Sequence, residues 1–118
     1  MLEVNLIFEV HCHQPSWVKH LHIDSYNTRE TESRYRIYVD EDLITERNWS
    51  WKWDNILLNE NIWVNGDFDS IYTLNLSPVL YNAAQAKFTI KNLKIGNVLG
   101  EIKQLTDLQI EYKLINTL

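Results

Sequence analysis

Residues 34–64, RYRIYVDEDLITERNWSWKWDNILLNENIWV, decide the fold of this chain. Side chains on a β-strand alternate between its two faces. At the start of the stretch one face is apolar and the other is mainly polar. The apolar face holds Tyr35, Ile37 and Val39, and the other face holds Arg34, Arg36 and Tyr38. This alternation predicts a half-buried strand.

An acidic run at residues 40–42 predicts a turn into a second strand. Aspartate favours turns because its carboxylate accepts hydrogen bonds from nearby backbone N–H groups, so a hairpin is the simplest interpretation. One face of the second strand carries Leu43, Thr45, Arg47, Trp49, Trp51 and Trp53. The alternate positions are mostly polar. We therefore expect this face, tryptophans included, to point inward at least in part.

Trp63 is a tryptophan that the pattern places on the solvent side. On the next strand Ile56, Leu58, Ile62 and Val64 share an apolar face, and Leu57, Asn59, Asn61, Trp63 and Asn65 share the other. Arg36 and Tyr38 point outward by the same argument. The predicted binding surface is therefore Trp63, Tyr38, Arg36, Asn59 and Asn61. The alternative is that the polar loop at residues 25–33 folds over Trp63.

The flanking sequence adds further strands. Residues 2–12 alternate, with Leu2, Val4, Leu6, Phe8, Val10 and Cys12 on one face, and Pro15 follows. Short strands are predicted at residues 20–24 and at 70–76, the latter ended by Pro78. Residues 86–95 form a strand with a bulge near Asn92, and residues 108–114 form the last strand. Residues 82–85 are a connection, and residues 96–107 are irregular or a short helix. Gly66 serves a turn at residues 65–67 by taking a positive φ.

These elements predict an all-β protein, a single antiparallel β-sandwich or jelly roll of about eight strands. One domain, residues 1–118, accommodates them. The expected core includes Leu6, Phe8, Val10, Ile37, Val39, Leu74, Leu76, Phe88 and Ile90.

Composition narrows the classes of partner. The net charge of −5 argues against nucleic acid. Cys12 is the only cysteine, so no intrachain disulfide forms, and its apolar strand face indicates a structural thiol. The first residues resemble no signal peptide, and no apolar run is long enough to span a bilayer. We therefore expect cytoplasmic synthesis without a signal peptide and no membrane partner.

Two groups of residues suggest metal binding, although the expectation is that no cofactor is bound. His11 and His13 share a strand face, as do His20 and His22, and converging imidazoles bind zinc or another transition metal. Asp40 and Asp42, with Glu41, Asp67 and Asp69, make oxygen-rich turns of the kind that holds calcium. The alternatives are solvent-facing histidines and ordinary turn chemistry.

Four segments carry a resemblance to known proteins: RIYVDEDLITERNW, ENIWV, YTLNLSPVLYNAAQAKF and TIKNLKI. Together they resemble small carbohydrate-binding-module-like β-sandwiches and small accessory proteins of tailed bacteriophages, notably of cyanobacteria. The resemblance covers residues 21–95. Calcium-dependent sugar modules usually carry glycine in the acidic turn where this chain has Glu41, so no ligand residue is transferred.

Three functions follow as hypotheses. The first is a non-enzymatic structural or interaction module, such as a capsid decoration or tail protein of a virion, working as a homo-oligomer or within a larger assembly. The second is a carbohydrate-binding module that uses surface aromatics to hold a glycan. The third is a small metal-dependent β-barrel enzyme built on the His-x-His pairs.

Overall fold

The computed structural model describes residues 1–13, 32–50, 55–80 and 87–116. Within these ranges the chain forms eight strands in two antiparallel sheets, which pack as a β-sandwich and confirm the predicted fold class. The strands are β1 (Leu2–His13), β2 (Glu32–Val39), β3 (Asp42–Ser50), β4 (Asn55–Gly66), β5 (Ile71–Leu80), β6 (Lys87–Ile95), β7 (Gly100–Thr106) and β8 (Gln109–Leu114). One sheet has the order β4-β1-β6, and the other has the order β3-β2-β5-β8-β7.

The core lies between the sheets and contains every core residue predicted from the alternation. Leu6, Phe8, Val10, Ile37, Val39, Leu74, Leu76, Phe88 and Ile90 are all buried. The largest fully buried side chains are Tyr35 and Tyr112. The Tyr35 ring packs against Phe88 at 5.6 Å, and Tyr112 stacks on Tyr72 at 5.4 Å. Aromatic contacts of this kind add to the burial of apolar area.

The β2–β3 hairpin confirms the turn at Asp40 but corrects the face assignment beyond it. Asp40 adopts a positive φ of 53°, which aspartate tolerates better than most residues. Ile37 then pairs with Thr45 while Tyr38 pairs with Leu43, so Ile44 is an extra residue in β3. Because of this bulge Leu43 is 54% exposed, and its predicted inward direction is wrong. Ile44 packs against the core instead.

Pro78 does not end β5 as predicted, because its position needs no hydrogen-bond donor. The Leu76 N–H donates to Leu108 O at 2.9 Å, away from β2. Pro78, two residues later, faces the same side as Leu76. It lies beyond Asn75 and Gln109, which are the last pair of β5 with β8 along β5. A strand tolerates proline where the missing N–H would face no partner.

The predicted turn after β4 and the irregular segment after β6 both differ from the structure. β4 continues through Gly66, which has no positive φ; Asp69 takes one of 65° instead. A Cβ at Gly66 would lie 2.9 Å from Leu114 Cδ1, so close packing explains the glycine. Residues 100–106, predicted as irregular or a short helix, form β7. The predicted elements at residues 20–24 and 82–85 lie outside the described residues.

The bulge predicted near Asn92 is confirmed. On its two sides the chain contacts β1 differently, by strand pairing and through the side chain of Asn97. Asn92 has a φ of 58°, and the β1–β6 register shifts between Ile7 and Glu9. Beyond the end of β6, Asn97 continues the pairing with its side chain. Its Oδ1 accepts from Asn5 N at 3.0 Å, and its Nδ2 donates to Glu3 O at 2.8 Å.

The hairpin of β7 and β8 covers the outer edge of β6. The Ile90 N–H donates to Asp107 O at 2.8 Å, and Gln104 Nε2 donates to Ile90 O at 3.0 Å. These bonds satisfy the outward N–H and C=O groups of Ile90 with groups from the β7–β8 hairpin. They fix the sandwich along this side.

Candidate binding face on the three-stranded sheet

Trp63 lies on the outer face of the three-stranded sheet, as predicted, and is 59% exposed. Its neighbours along β4, Ile62 and Val64, are buried, whereas Asn59, Asn61 and Asn65 are exposed. We call this surface the Trp63 face; it comprises Trp63, Asn59, Asn61 and Asn65 of β4 with Asn5, Ile7 and Glu9 of β1. It combines one large indole with a row of amides.

Asn5 is the buried anchor of the Trp63 face. It pairs with Trp63 across the two strands and is only 8% exposed. Its Nδ2 donates to Asn61 Oδ1 and, at 3.2 Å, to Ile62 O. Because Asn5 engages the carbonyl end of the Asn61 amide, the amino group is the other end of that side chain. Two of the side chains beside Trp63, those of Asn5 and Asn61, are thus held in place by hydrogen bonds.

The neighbouring part of β1 and β6 carries charge. His11 Nε2 donates to Glu9 Oε1 at 3.0 Å. The His11 hydrogen bond, then one from Asn92 and the charge of Lys94, hold the pKa of Glu9 below its usual range. Lys91 pairs with Glu9, and Lys94 pairs with Ile7, across the β1–β6 register. The Trp63 face therefore changes from amides to charged groups along β1.

Arg36 and Tyr38 do not join Trp63. Both alternate with buried residues of β2 and so lie on the outer face of the five-stranded sheet, on the opposite side of the sandwich. Arg36 Nε lies 3.3 Å from Glu46 Oε1, within an ion pair that Arg34 shares at 3.5 Å. The outward direction of both residues is confirmed, but the five predicted binding residues form two separate surfaces.

The structure brings the acidic turns together but shows no metal centre among its described residues. Asp40, Asp42 and Asp67 line one cavity of about 370 Å³. The Asp40 carboxylate already accepts from Thr73 N at 2.9 Å. Within the described ranges no group of three or more His, Cys, Asp or Glu side chains is placed to hold a metal ion.

The structure describes only part of the predicted histidine cluster. Of its four members only His11 has a described side chain, and that side chain contacts Glu9. His13 is described as a backbone position at the end of β1, and His20 and His22 lie outside the described residues. Trp51 and Trp53, and the side chain of Trp49, lie outside them as well.

The residue that sequence reasoning missed is Glu60, a carboxylate only 5% exposed between the sheets. Tyr35 Oη donates to Glu60 Oε1 at 2.9 Å, and Arg47 Nε donates to the two carboxylate oxygens at 3.0 and 3.2 Å. Burial first, and then the charge of Glu60, raises the pKa of Tyr35. The signal was present, because Glu60 occupies an inward position of β4 between Leu58 and Ile62.

Cys12 fits a structural role. Its thiol is buried on the core face of β1, and burial raises its pKa to about 12. A protonated, enclosed thiol is a poor nucleophile.

No protein-family model matches this chain, and no curated protein and no solved structure is significantly similar to it. Among the described residues, no helix has the length and apolarity that crossing a bilayer requires.

Proposed function

We propose that this protein is a non-enzymatic interaction module that contacts its partner through the Trp63 face. The observation that carries the proposal is the 59% exposure of Trp63 on a strand paired along its whole length with β1. A large, rigid aromatic side chain on an ordered surface is typical of the residues that dominate protein interfaces. Burying the exposed part of the indole gives such a contact its driving force.

One cavity on the described surface offers no group for acid–base catalysis. A cavity of about 570 Å³ is lined by Phe68, Ile95, Gly96, Asn97, Val98, Leu99, Ile115 and Asn116. Its lining contains no ionisable side chain, whereas general acid–base chemistry needs one within reach of the substrate. The buried carboxylate of Glu60 is held by Arg47 and Tyr35 inside the sandwich.

The setting we propose is a virion, where the chain serves as a capsid decoration or tail protein. This part rests on the sequence resemblance to accessory proteins of tailed phages. A gradient-purified virion preparation, probed with an antibody against the chain, tests it. Detection in stoichiometric amounts supports the setting, and absence from intact virions contradicts it.

The Trp63 face is tested on the same particles with two variants. Trp63→Ala should bind virions that lack the native protein at least roughly tenfold more weakly than the unaltered chain. Ile71→Ala is the matched control, because Ile71 is 60% exposed but lies on the other sheet. Equal loss of binding in both variants would place the contact elsewhere.

A glycan is the second candidate ligand, and the amides beside Trp63 favour it. An indole packs against the apolar face of a sugar ring, while the Asn61 amino group donates to a hydroxyl group beside it. The Asn59 amide, about 13 Å from Trp63 along β4, is placed to bond a neighbouring sugar ring. A glycan array probed with the unaltered chain and with Asn59→Ala separates this candidate from the first. Binding that is lost in Asn59→Ala supports a glycan; no binding to any glycan leaves the protein partner as the proposal.

A further inference from the structure

The edge strand β7 is exposed along its whole length. All seven residues of Gly100–Thr106 are exposed, including Ile102 at 44%. β7 ends the five-stranded sheet, and no strand within the described ranges pairs with its outer side. Unpaired strand edges bind other strands unless something blocks them. The edge of β6, by contrast, is covered at Ile90.

The pairing of β7 with β8 shows which backbone groups of β7 point outward. Leu99 O accepts from Ile115 N at 2.9 Å, and the same register continues through Glu101 with Lys113 and Lys103 with Glu111. In an antiparallel ladder, alternate residues direct both N–H and C=O to the same neighbour. Leu99, Glu101 and Lys103 therefore face β8. Gly100, Ile102 and Gln104 direct their N–H and C=O groups away from the sheet.

We propose that β7 pairs antiparallel with β7 of a second copy of this chain, around a two-fold axis at Ile102. In this register Ile102 faces Ile102 of the partner subunit, and Gly100 faces Gln104 of the partner subunit. Every outward N–H and C=O group of these residues then has a partner. The same patch serves both subunits, as a two-fold interface requires.

Charge selects this register over its neighbours. Around Ile102, Glu101 lies opposite Lys103 of the partner subunit, and the symmetry repeats the pair. A shift in one direction sets Glu101 against Glu101 of the partner subunit, and a shift in the other sets Lys103 against Lys103 of the partner subunit. Opposite charges directly across a strand pair stabilise it, and like charges destabilise it. Glu101 and Lys103 already lie opposite Lys113 and Glu111 within the chain, so charges alternate across the joined sheet.

In this dimer both three-stranded sheets lie on the same face of the joined sheet. Side chains of facing residues point to the same face of an antiparallel pair. Ile102 lies opposite the buried Tyr112, so it points to the core side of its sheet. The two Ile102 side chains then meet on that side, which also carries both three-stranded sheets. This dimer does not depend on the Trp63 face being a binding surface.

Sedimentation velocity of the full chain, from about 1 µM to about 1 mM, tests the dimer, because a short strand edge gives a weak, concentration-dependent contact. We expect a monomer–dimer equilibrium. Glu101→Lys and Lys103→Glu should each weaken it roughly tenfold or more, since two attractive pairs become two repulsive ones. Glu41→Lys is the control: it makes the same charge change at the exposed β2–β3 turn and should leave association unchanged.

A mixture of Glu101→Lys with Lys103→Glu provides the decisive measurement. Each variant alone repels its own copy, but both charge pairs are restored between the two variants, so the mixture should form a heterodimer. Ile102→Pro should be monomeric and folded by circular dichroism, because it removes an outward N–H and no bond to β8. A chain that stays monomeric at every concentration overturns the proposal. So does association that survives Ile102→Pro, or a mixture that fails to associate.

Discussion

Arg47 Nε on β3 donates to both carboxylate oxygens of Glu60 on β4, at 3.0 and 3.2 Å. The pair joins one sheet to the other, and Tyr35 donates to the same carboxylate from β2. The Glu60 hydrogen bond holds the pKa of Arg47 above its usual value. Glu60 is buried, whereas the Arg47 side chain is 44% exposed. Removing Arg47 alone would therefore leave a buried carboxylate without this partner.

Arg47→Ala should lower the free energy of unfolding by about 2 kcal/mol or more, because it leaves a buried carboxylate with Tyr35 as its described partner. The double variant Arg47→Met with Glu60→Leu should recover much of that loss, since it removes the buried charge together with its partner. Urea denaturation of the unaltered chain and the two variants measures this. A double variant less stable than Arg47→Ala would contradict the expectation.

Phe88→Ala should destabilise the fold by roughly 3–5 kcal/mol, the usual cost of a large cavity in a core. Phe88 is 3% exposed and packs against Tyr35. The melting temperature should fall by roughly 10–20 °C for a domain of this size. Leu57→Ala, at a position 51% exposed, is the control and should shift it little. Equal shifts in both would mean that Phe88 lies outside the core.

The sequence predicted the strands that have one buried face. β1 and β4 alternate clearly because a single layer of core lies under each of them, and the direction of Trp63 follows from that alternation. β7 was missed because both of its faces are exposed. The sequence around Ile102 and Lys103 therefore shows no sustained alternation of apolar and polar residues. The inward direction of Leu43 was wrong because the extra residue Ile44 reverses the faces within β3.

Features that depend on other strands were not predictable from local pattern. Arg36 and Tyr38 point outward as expected, but only the strand order shows that they lie on the opposite side of the molecule from Trp63. Pro78 is tolerated because β8 does not extend beside it. The inward position of Glu60 follows from the alternation along β4, but its partners Arg47 and Tyr35 follow only from the packing of the two sheets. Each of these depends on which strands become neighbours, which a period of two does not specify.

The Cys12 thiol should react only slowly with a thiol reagent such as dithionitrobenzoate while the protein is folded. It is 1% exposed, and its raised pKa of about 12 leaves it protonated at neutral pH. Absorbance at neutral pH should show slow modification in buffer and complete, rapid modification in denaturant. The rate should increase with urea in parallel with unfolding. Rapid reaction in buffer would mean that Cys12 is accessible in the folded protein.

The carboxyl of Glu9 should titrate below its ordinary value of 4.5. Because its folded pKa is lowered, its contribution to stability is present above that ordinary value and is lost as the pH falls through the lower, folded pKa. His11→Ala should raise the pKa of Glu9, since the His11 hydrogen bond is the largest cause of the shift. Carbon-13 chemical shifts of the Glu9 carboxyl, followed against pH, measure both values. Lys103→Ala, on the other sheet, should leave them unchanged.

Trp63→Ala should leave the fold intact, because most of the indole is already in solvent. The residue is 59% exposed, so the substitution removes a limited apolar contact and some strand propensity. We expect a loss of about 1 kcal/mol or less in the free energy of unfolding. Asn5 should keep its hydrogen bonds to Asn61 and to the Ile62 carbonyl, since neither bond involves the indole. Urea denaturation of Trp63→Ala and Phe88→Ala side by side measures both losses, and Phe88→Ala shows how large the loss is at a core position. A loss that approaches that of Phe88→Ala would show that Trp63 is a structural residue and would remove the main support for the Trp63 face as a binding surface.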